Sequence, residues 1–248
     1  MLRGLNKLIW VEIKIFLREP MGAIGTLLTP VAVFLILGRI TQKKTELTAA
    51  ASWLANGTLP ILAILLIALG NVLSLTAIIA IYREGGILRR LKATPLRPQT
   101  ILAAHVIVKL LLSAVTLGLL LAAGKTLAAG QPTAHPLSFA LAMALSMVSI
   151  LSIGFVIASI VPTARFAQPL GSLLLYPMLA FSGLFFPLEL LPPRLRTLAE
   201  FLPVKHAVSL LQGIWNGGAW SDQWLAIGAL LLTFAICTAL AGKIFRWE

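Results

Sequence analysis

Six stretches of mostly apolar residues, each about as long as a bilayer is thick, dominate this chain. They lie near 21–41, 54–82, 101–124, 137–161, 166–187 and 224–245. A helix that crosses the hydrocarbon core needs about 20 such residues. Inside lipid no water is present to satisfy backbone N–H and C=O groups, so a spanning segment must be a helix or part of a closed barrel. The fold class follows: an all-α membrane protein with six transmembrane helices. Composition agrees, since only 11% of the 248 residues are charged and 59% are hydrophobic. A soluble domain carries about 25% charged residues. The second run exceeds what a bilayer requires, and a tilt, or a bend at Pro60, is expected there. The first run ends in LGRITQKK without a small-residue cleavage site, so it reads as a span and not as a signal peptide.

The formal charge of +12 is distributed over many short connections and forms no single face with interleaved aromatics, which excludes nucleic acid as a partner. In a membrane protein Lys and Arg collect on the cytoplasmic side. Six spans place both termini on one side. The amino-terminal segment, the 83–100 loop, the 162–165 turn and the carboxyl end together hold twelve Lys and Arg, against seven on the opposite connections. Both termini are therefore expected in the cytoplasm, with the protein a multi-pass resident of the inner or plasma membrane. Trp53, Trp220, Trp224 and Trp247 fall near span ends, where interfacial aromatics belong.

Three segments are more than spans or turns. Residues 2–19 form an amphipathic helix in which Arg3, Lys7, Lys14 and Arg18 share a stripe while Leu5, Leu8, Ile9, Ile13 and Phe16 cover other faces. Such a helix lies at an anionic membrane surface, serving either as a topological anchor or as a packing surface for a partner. Glu19-Pro20 ends it. Residues 188–218 are too long for a turn and too apolar for a free loop. Pro193 and Pro203 each open a short helical pattern, and Gly217-Gly218 turns the chain back, which reads as a re-entrant helical hairpin in the outer leaflet. Between spans two and three the sequence is YREGGILRRLKATPL. Gly85 and Gly86 uncouple this stretch from the span. Ile87, Leu88 and Leu91 then share one side of a two-turn helix and Arg89, Arg90 and Lys92 the other, until Thr94-Pro95 stops it.

No set of residues in the chain resembles a catalytic centre. His105, His135 and His206 are dispersed, and none has a carboxylate at metal-ligand spacing. Cys237 is the only cysteine, which excludes an intrachain disulfide. GLLLAAGKT, residues 118–126, imitates a phosphate-binding loop, but five residues instead of four separate Gly118 from Gly124, and the stretch closes an apolar span. All eight acidic residues are expected at span ends or in connections, so no ion-coupling site is evident. Lys109, with His105 the only ionisable residue expected within a span, would snorkel to the cytoplasmic surface. Any energy for transport must then come from elsewhere.

Taken in order, YREGGILRRLKATPL, ARFAQPLGSLLLYPMLAFSGLFFPLELLPP (164–193) and FLPVKHAVSLLQGIW (201–215) resemble the permease subunits of type-2 ATP-binding-cassette exporters, the ABC-2 type permeases. The resemblance covers essentially the whole chain, as one transmembrane domain over 1–248. It implies a half-transporter. Two permease chains, identical or different, would pair in the membrane, and each would dock a separate ATPase that binds ATP and magnesium, while this chain binds no cofactor. Alternating access would then move a drug, lipid or lipid-linked glycan out of the cytoplasm or inner leaflet. It further implies that 84–94 is a cytoplasmic coupling helix. Glu84, Arg89, Arg90 and Lys92 would contact the ATPase, Ile87, Leu88 and Leu91 would pack against it and the interface helix, and Gly85 and Gly86 would form the hinge. Arg83, Thr94 and Pro95 complete the coupling segment. Phe181, Phe185 and Phe186 would help close an extracellular gate, although aromatics at a span end also serve as anchors. A passive channel or secondary carrier would need polar residues along several spans. A non-transporting scaffold that recruits an ATPase would use the same coupling segment.

Overall fold

The computed structural model describes residues 2–20, 24–43, 59–86, 98–127, 135–161, 163–183, 188 and 192–244. Among these residues all regular structure is helical. Helix α1 covers Leu2–Arg18 and α2 covers Thr29–Lys43, the latter entered through a π-helical turn at Ile24–Leu28. The long helices are α3 (Leu59–Glu84), α4 (Pro98–Leu127) and α5 (Pro136–Ile160). Then come α6 (Ala164–Ala180), the short pair α7 (Pro193–Glu200) and α8 (Pro203–Trp215), and α9 (Trp224–Ile244) after a single 3-10 turn.

Among the described residues, four helical segments are long and apolar enough to cross a membrane: Leu65–Glu84, Ala103–Ala123, Pro136–Ile160 and Trp220–Ile244. The other two expected spans are shorter. Helix α2 has 15 residues and reaches 24–43 only with its π turn. Helix α6 has 17 residues, contains Pro169 and Pro177, and ends at Ala180, well before the expected 187. Pro60 falls at the start of the described part of α3, which begins at Leu59.

Helices α3 and α5 form the centre. Helix α3 packs against α2, α4, α5 and α6, and α5 packs against α3, α8 and α9. The core contains Leu65, Val72 and Leu75 of α3, Met147, Ile150 and Leu151 of α5, Leu175 of α6, Leu210 of α8 and Leu230 of α9, all buried. Helix α9 lies on the outside and exposes Leu225, Leu231, Leu232 and Ile236. Without a hydrophobic driving force between helices in lipid, contact depends on small residues and interhelical hydrogen bonds. Gly154 supplies the first. A Cβ there would lie 3.1 Å from Val72 Cγ1, so a larger residue would require Val72 to give way for α5 to stay this close to α3. Nearby, Thr76 donates its hydroxyl to the carbonyls of Val72 (2.8 Å) and Gly154 (3.4 Å). Ser149 similarly donates to the Leu230 carbonyl of α9 at 2.8 Å.

Helices α7 and α8 occupy the expected hairpin segment. Buried His206 Nε2 lies 2.8 Å from the Glu200 carbonyl, which ties the start of α8 to the end of α7. Trp215 stacks edge-on against Phe139, with centroids 5.0 Å apart. Gly217, at φ 80°, takes the left-handed conformation that reverses the chain before α9. A cleft of about 570 Å³ opens beside this pair, lined by Glu200, Phe201, Lys205, His206, Trp224 and Leu225.

Candidate functional site

Two polar assemblies interrupt the apolar packing, and both include α3. The first is a tract along one face of α4. His105, Lys109, Ser113 and Thr116 recur at spacings of four, four and three, so they form a single stripe. All four are buried. Helix α3 meets this stripe with Tyr82, Ser74 and Asn71. Lys109 Nζ donates to Ser74 Oγ at 2.8 Å, and Asn71 Nδ2 donates to Ser113 Oγ at 2.9 Å. Ser113 in turn donates to the Lys109 carbonyl at 2.7 Å. The Tyr82 and His105 rings stand 5.6 Å apart.

The end of this tract is closed from a third helix. Glu12 of α1 places Oε1 at 2.9 Å from His105 Nδ1, with His105 only 3% exposed. The same carboxylate acts electrostatically on Lys109. Glu12 of the amphipathic helix thus meets α4 at His105, and Lys109 stays buried on Ser74 without snorkelling free. Consistent with this, α1 packs lengthwise on α4, with Leu5, Leu8, Ile9, Ile13 and Phe16 partly buried. Lys7, Lys14 and Arg18 remain exposed on the opposite side; the Arg3 side chain is outside the described residues.

The second assembly lies where α3 ends. Gly86, at φ 65°, terminates the helix, with its N–H bonded to the Arg83 carbonyl and that of Gly85 to the Ile81 carbonyl. The two charged residues just before the glycines point to the corner between α5 and α6. Arg83 Nη1 donates to the Ser159 carbonyl in the last turn of α5, at 3.4 Å. Glu84 Oε2 accepts the N–H of Ala164, the first residue of α6, at 2.9 Å. The signs suit both helix ends, since a C-terminus attracts cations and an N-terminus attracts anions.

Of the expected coupling residues, only Arg83, Glu84, Gly85 and Gly86 fall within the described residues. Ile87, Leu88, Arg89, Arg90, Leu91, Lys92, Thr94 and Pro95 lie outside them. Phe181 caps α6 and is half-buried, while Phe185 and Phe186 also lie outside. Gly118 to Thr126 is continuous helix within α4, so the phosphate-loop imitation has no loop with which to cradle a phosphate. The His105–Lys109–Ser113 spacing was visible in the sequence. Its link to Glu12, across 93 positions, was not.

The sequence model of the family described as "ABC-2 type transporter" matches residues 4–215. The chain belongs to the ABC-2 type transporter family. As an ABC-2 type chain with several apolar helices it is a multi-pass membrane protein. The matched region begins in α1 and ends with α8, and thus includes both polar assemblies. Among individual proteins, the chain is 29% identical over 160 residues to the linearmycin resistance permease protein LnrN of Bacillus subtilis (strain 168), covering 64% of this chain and 41% of that one. It is 33% identical over 90 residues to nodulation protein J of Neorhizobium galegae, covering 36% of this chain and 34% of the relative. Against nodulation protein J of Rhizobium leguminosarum bv. trifolii it is 30% identical over 104 residues, 42% of this chain and 40% of that protein. The chain thus spans less than half the length of these curated relatives.

Proposed function

We propose that this chain is the permease subunit of an ATP-driven exporter that moves a hydrophobic or amphipathic molecule outward by alternating access. The observation that carries this reading is the family match over residues 4–215. ABC-2 permeases generally work with a separate ABC ATPase, and ATP with its magnesium would be bound there. The chain functions as one transmembrane domain of six spans, paired with a second permease chain, with both termini in the cytoplasm. Residues 84–94 act as the coupling helix, and α1 is the interface helix beside it. Helices α7 and α8 form the re-entrant hairpin, and Phe181, Phe185 and Phe186 contribute to an outer gate. The name of the Bacillus relative makes linearmycin the first compound to test as cargo.

The experiment is reconstitution of the full chain with its ATPase subunit in proteoliposomes. ATP-dependent movement of linearmycin, or of a member of a panel of lipids, drugs and glycans, is the expected result. The variant Arg89→Ala/Arg90→Ala/Lys92→Ala is expected to insert normally but to lose association with the ATPase. Retained association would refute the role given to 84–94, and failure of the unmodified chain to bind any ABC ATPase would refute the reading as a whole.

A further inference from the structure

The consecutive pair Arg83–Glu84 joins helices that are otherwise separated by 76 and 80 positions in the chain. We propose that this pair is a two-headed clasp that transmits displacement of the 85–97 connection directly to the ends of α5 and α6, rather than a contact with the partner ATPase. The proposal deepens the permease reading and rests on it.

Three observations carry it. Glu84 is already engaged within the chain, because its carboxylate accepts the Ala164 N–H at 2.9 Å. Helix α6 has no cap of its own, since Thr163 occupies the N-cap position and makes no side-chain capping bond. Its first N–H is accepted instead by a carboxylate from another helix. Finally, α6 rests on α3 further along, where Gly171 faces Leu73 so closely that a Cβ would fall 2.7 Å from Leu73 Cδ2. Contact at two heights makes α3 and α6 move together. The chain leaves the clasp at Gly85 and Gly86, so force on the basic segment beyond them reaches Arg83 and Glu84 first. The relay ends on the face of α6 that exposes Phe166, Leu173 and Tyr176. Polar contact with the ATPase is left to Arg89, Arg90 and Lys92.

The test uses the full chain with its ATPase subunit, in a Cys237→Ala background carrying one reporter, Leu173→Cys, on the exposed face of α6. Maleimide labelling is compared without nucleotide and with ATP plus vanadate. The parent is expected to change its labelling rate about fivefold or more, the low end of usual coupling energies. Glu84→Ala is expected to abolish that change while the ATPase still co-purifies. Glu84→Ala/Thr163→Asp returns a cap to α6 without the tie to α3. It is expected to recover thermal stability and still lack the nucleotide response. Recovery of the response in this double variant would reduce Glu84 to a helix cap and overturn the clasp. Loss of ATPase binding by Glu84→Ala, or an unchanged response, would overturn it as well. Where Glu84→Ala does not insert, Glu84→Asp keeps the charge but is one methylene shorter; loss of response with ATPase bound supports the clasp, and a retained response overturns it. A parent that neither binds the ATPase nor responds to nucleotide removes the permease reading, and the clasp with it.

Discussion

Glu12→Gln should release α1 from the bundle. The Glu12 carboxylate is 2.9 Å from His105 Nδ1, and the side chains are 22% and 3% exposed. A surface ion pair contributes about 0–1 kcal/mol. Leaving a buried polar group without its partner costs about 1–3 kcal/mol. His105 is buried and Glu12 reaches partly to the surface, so a loss of about 2 kcal/mol is expected. At about 1.4 kcal/mol per factor of ten, the equilibrium for opening α1 rises roughly 30-fold. Hydrogen exchange in nanodiscs reads this directly, as a matching loss of protection in residues 2–18 with α5 unchanged. A cycle with His105→Gln separates the pair from the apolar contacts of Leu5, Ile9 and Phe16. If Glu12→Gln leaves protection of α1 unchanged, the helix is held by lipid and apolar packing, and the ion pair has no anchoring role.

Gly154→Leu should force α3 and α5 apart, since even a Cβ meets Val72 Cγ1 at 3.1 Å; overpacking of about 1–3 kcal/mol is expected as a lower melting temperature in detergent. Gly171→Ala should be milder, because the only close atom is the flexible tip of Leu73, and an equal loss would refute this comparison. Asn71→Ala should cost little, about 0.6 kcal/mol, the average for interhelical hydrogen bonds in membranes. Ser113 still has the Lys109 carbonyl to donate to, and a loss several times larger in the same melting assay would reveal a tighter network. For orientation, with Cys237 replaced, a cysteine at 128 should label from outside intact cells and one at 93 should not; the reverse pattern inverts the topology.

The helical class and the positions of most helices were legible because apolar run length is a strong one-dimensional signal. The expected starts at 101, 137 and 166 fall within three residues of the observed Pro98, Pro136 and Ala164. Where the reading erred, the deciding quantity was local to a turn. The expected end of span five at 187 followed the apolar composition through Phe186. The helix stops at Ala180 instead, with the Phe181 N–H bonded to the Pro177 carbonyl and Gly183 at φ 83°.

The polar assemblies were less legible, for a reason that applies to charged residues in membranes generally. A carboxylate near the edge of a span looks solvated in the sequence, because burial is a property of the helix that comes to cover it. Glu12 belongs to an amphipathic helix whose apolar face does not reveal what it will cover, and His105 is 93 positions away. Glu84 beside two glycines looked like a loop residue available to a partner, yet its carboxylate accepts the first N–H of α6. A sequence-level clue did exist. Helix α6 starts at Ala164 behind Thr163, which makes no side-chain capping bond. The first N–H groups of a helix have no partner within it, and here the carboxylate that closes α3, although exposed, accepts the first of α6.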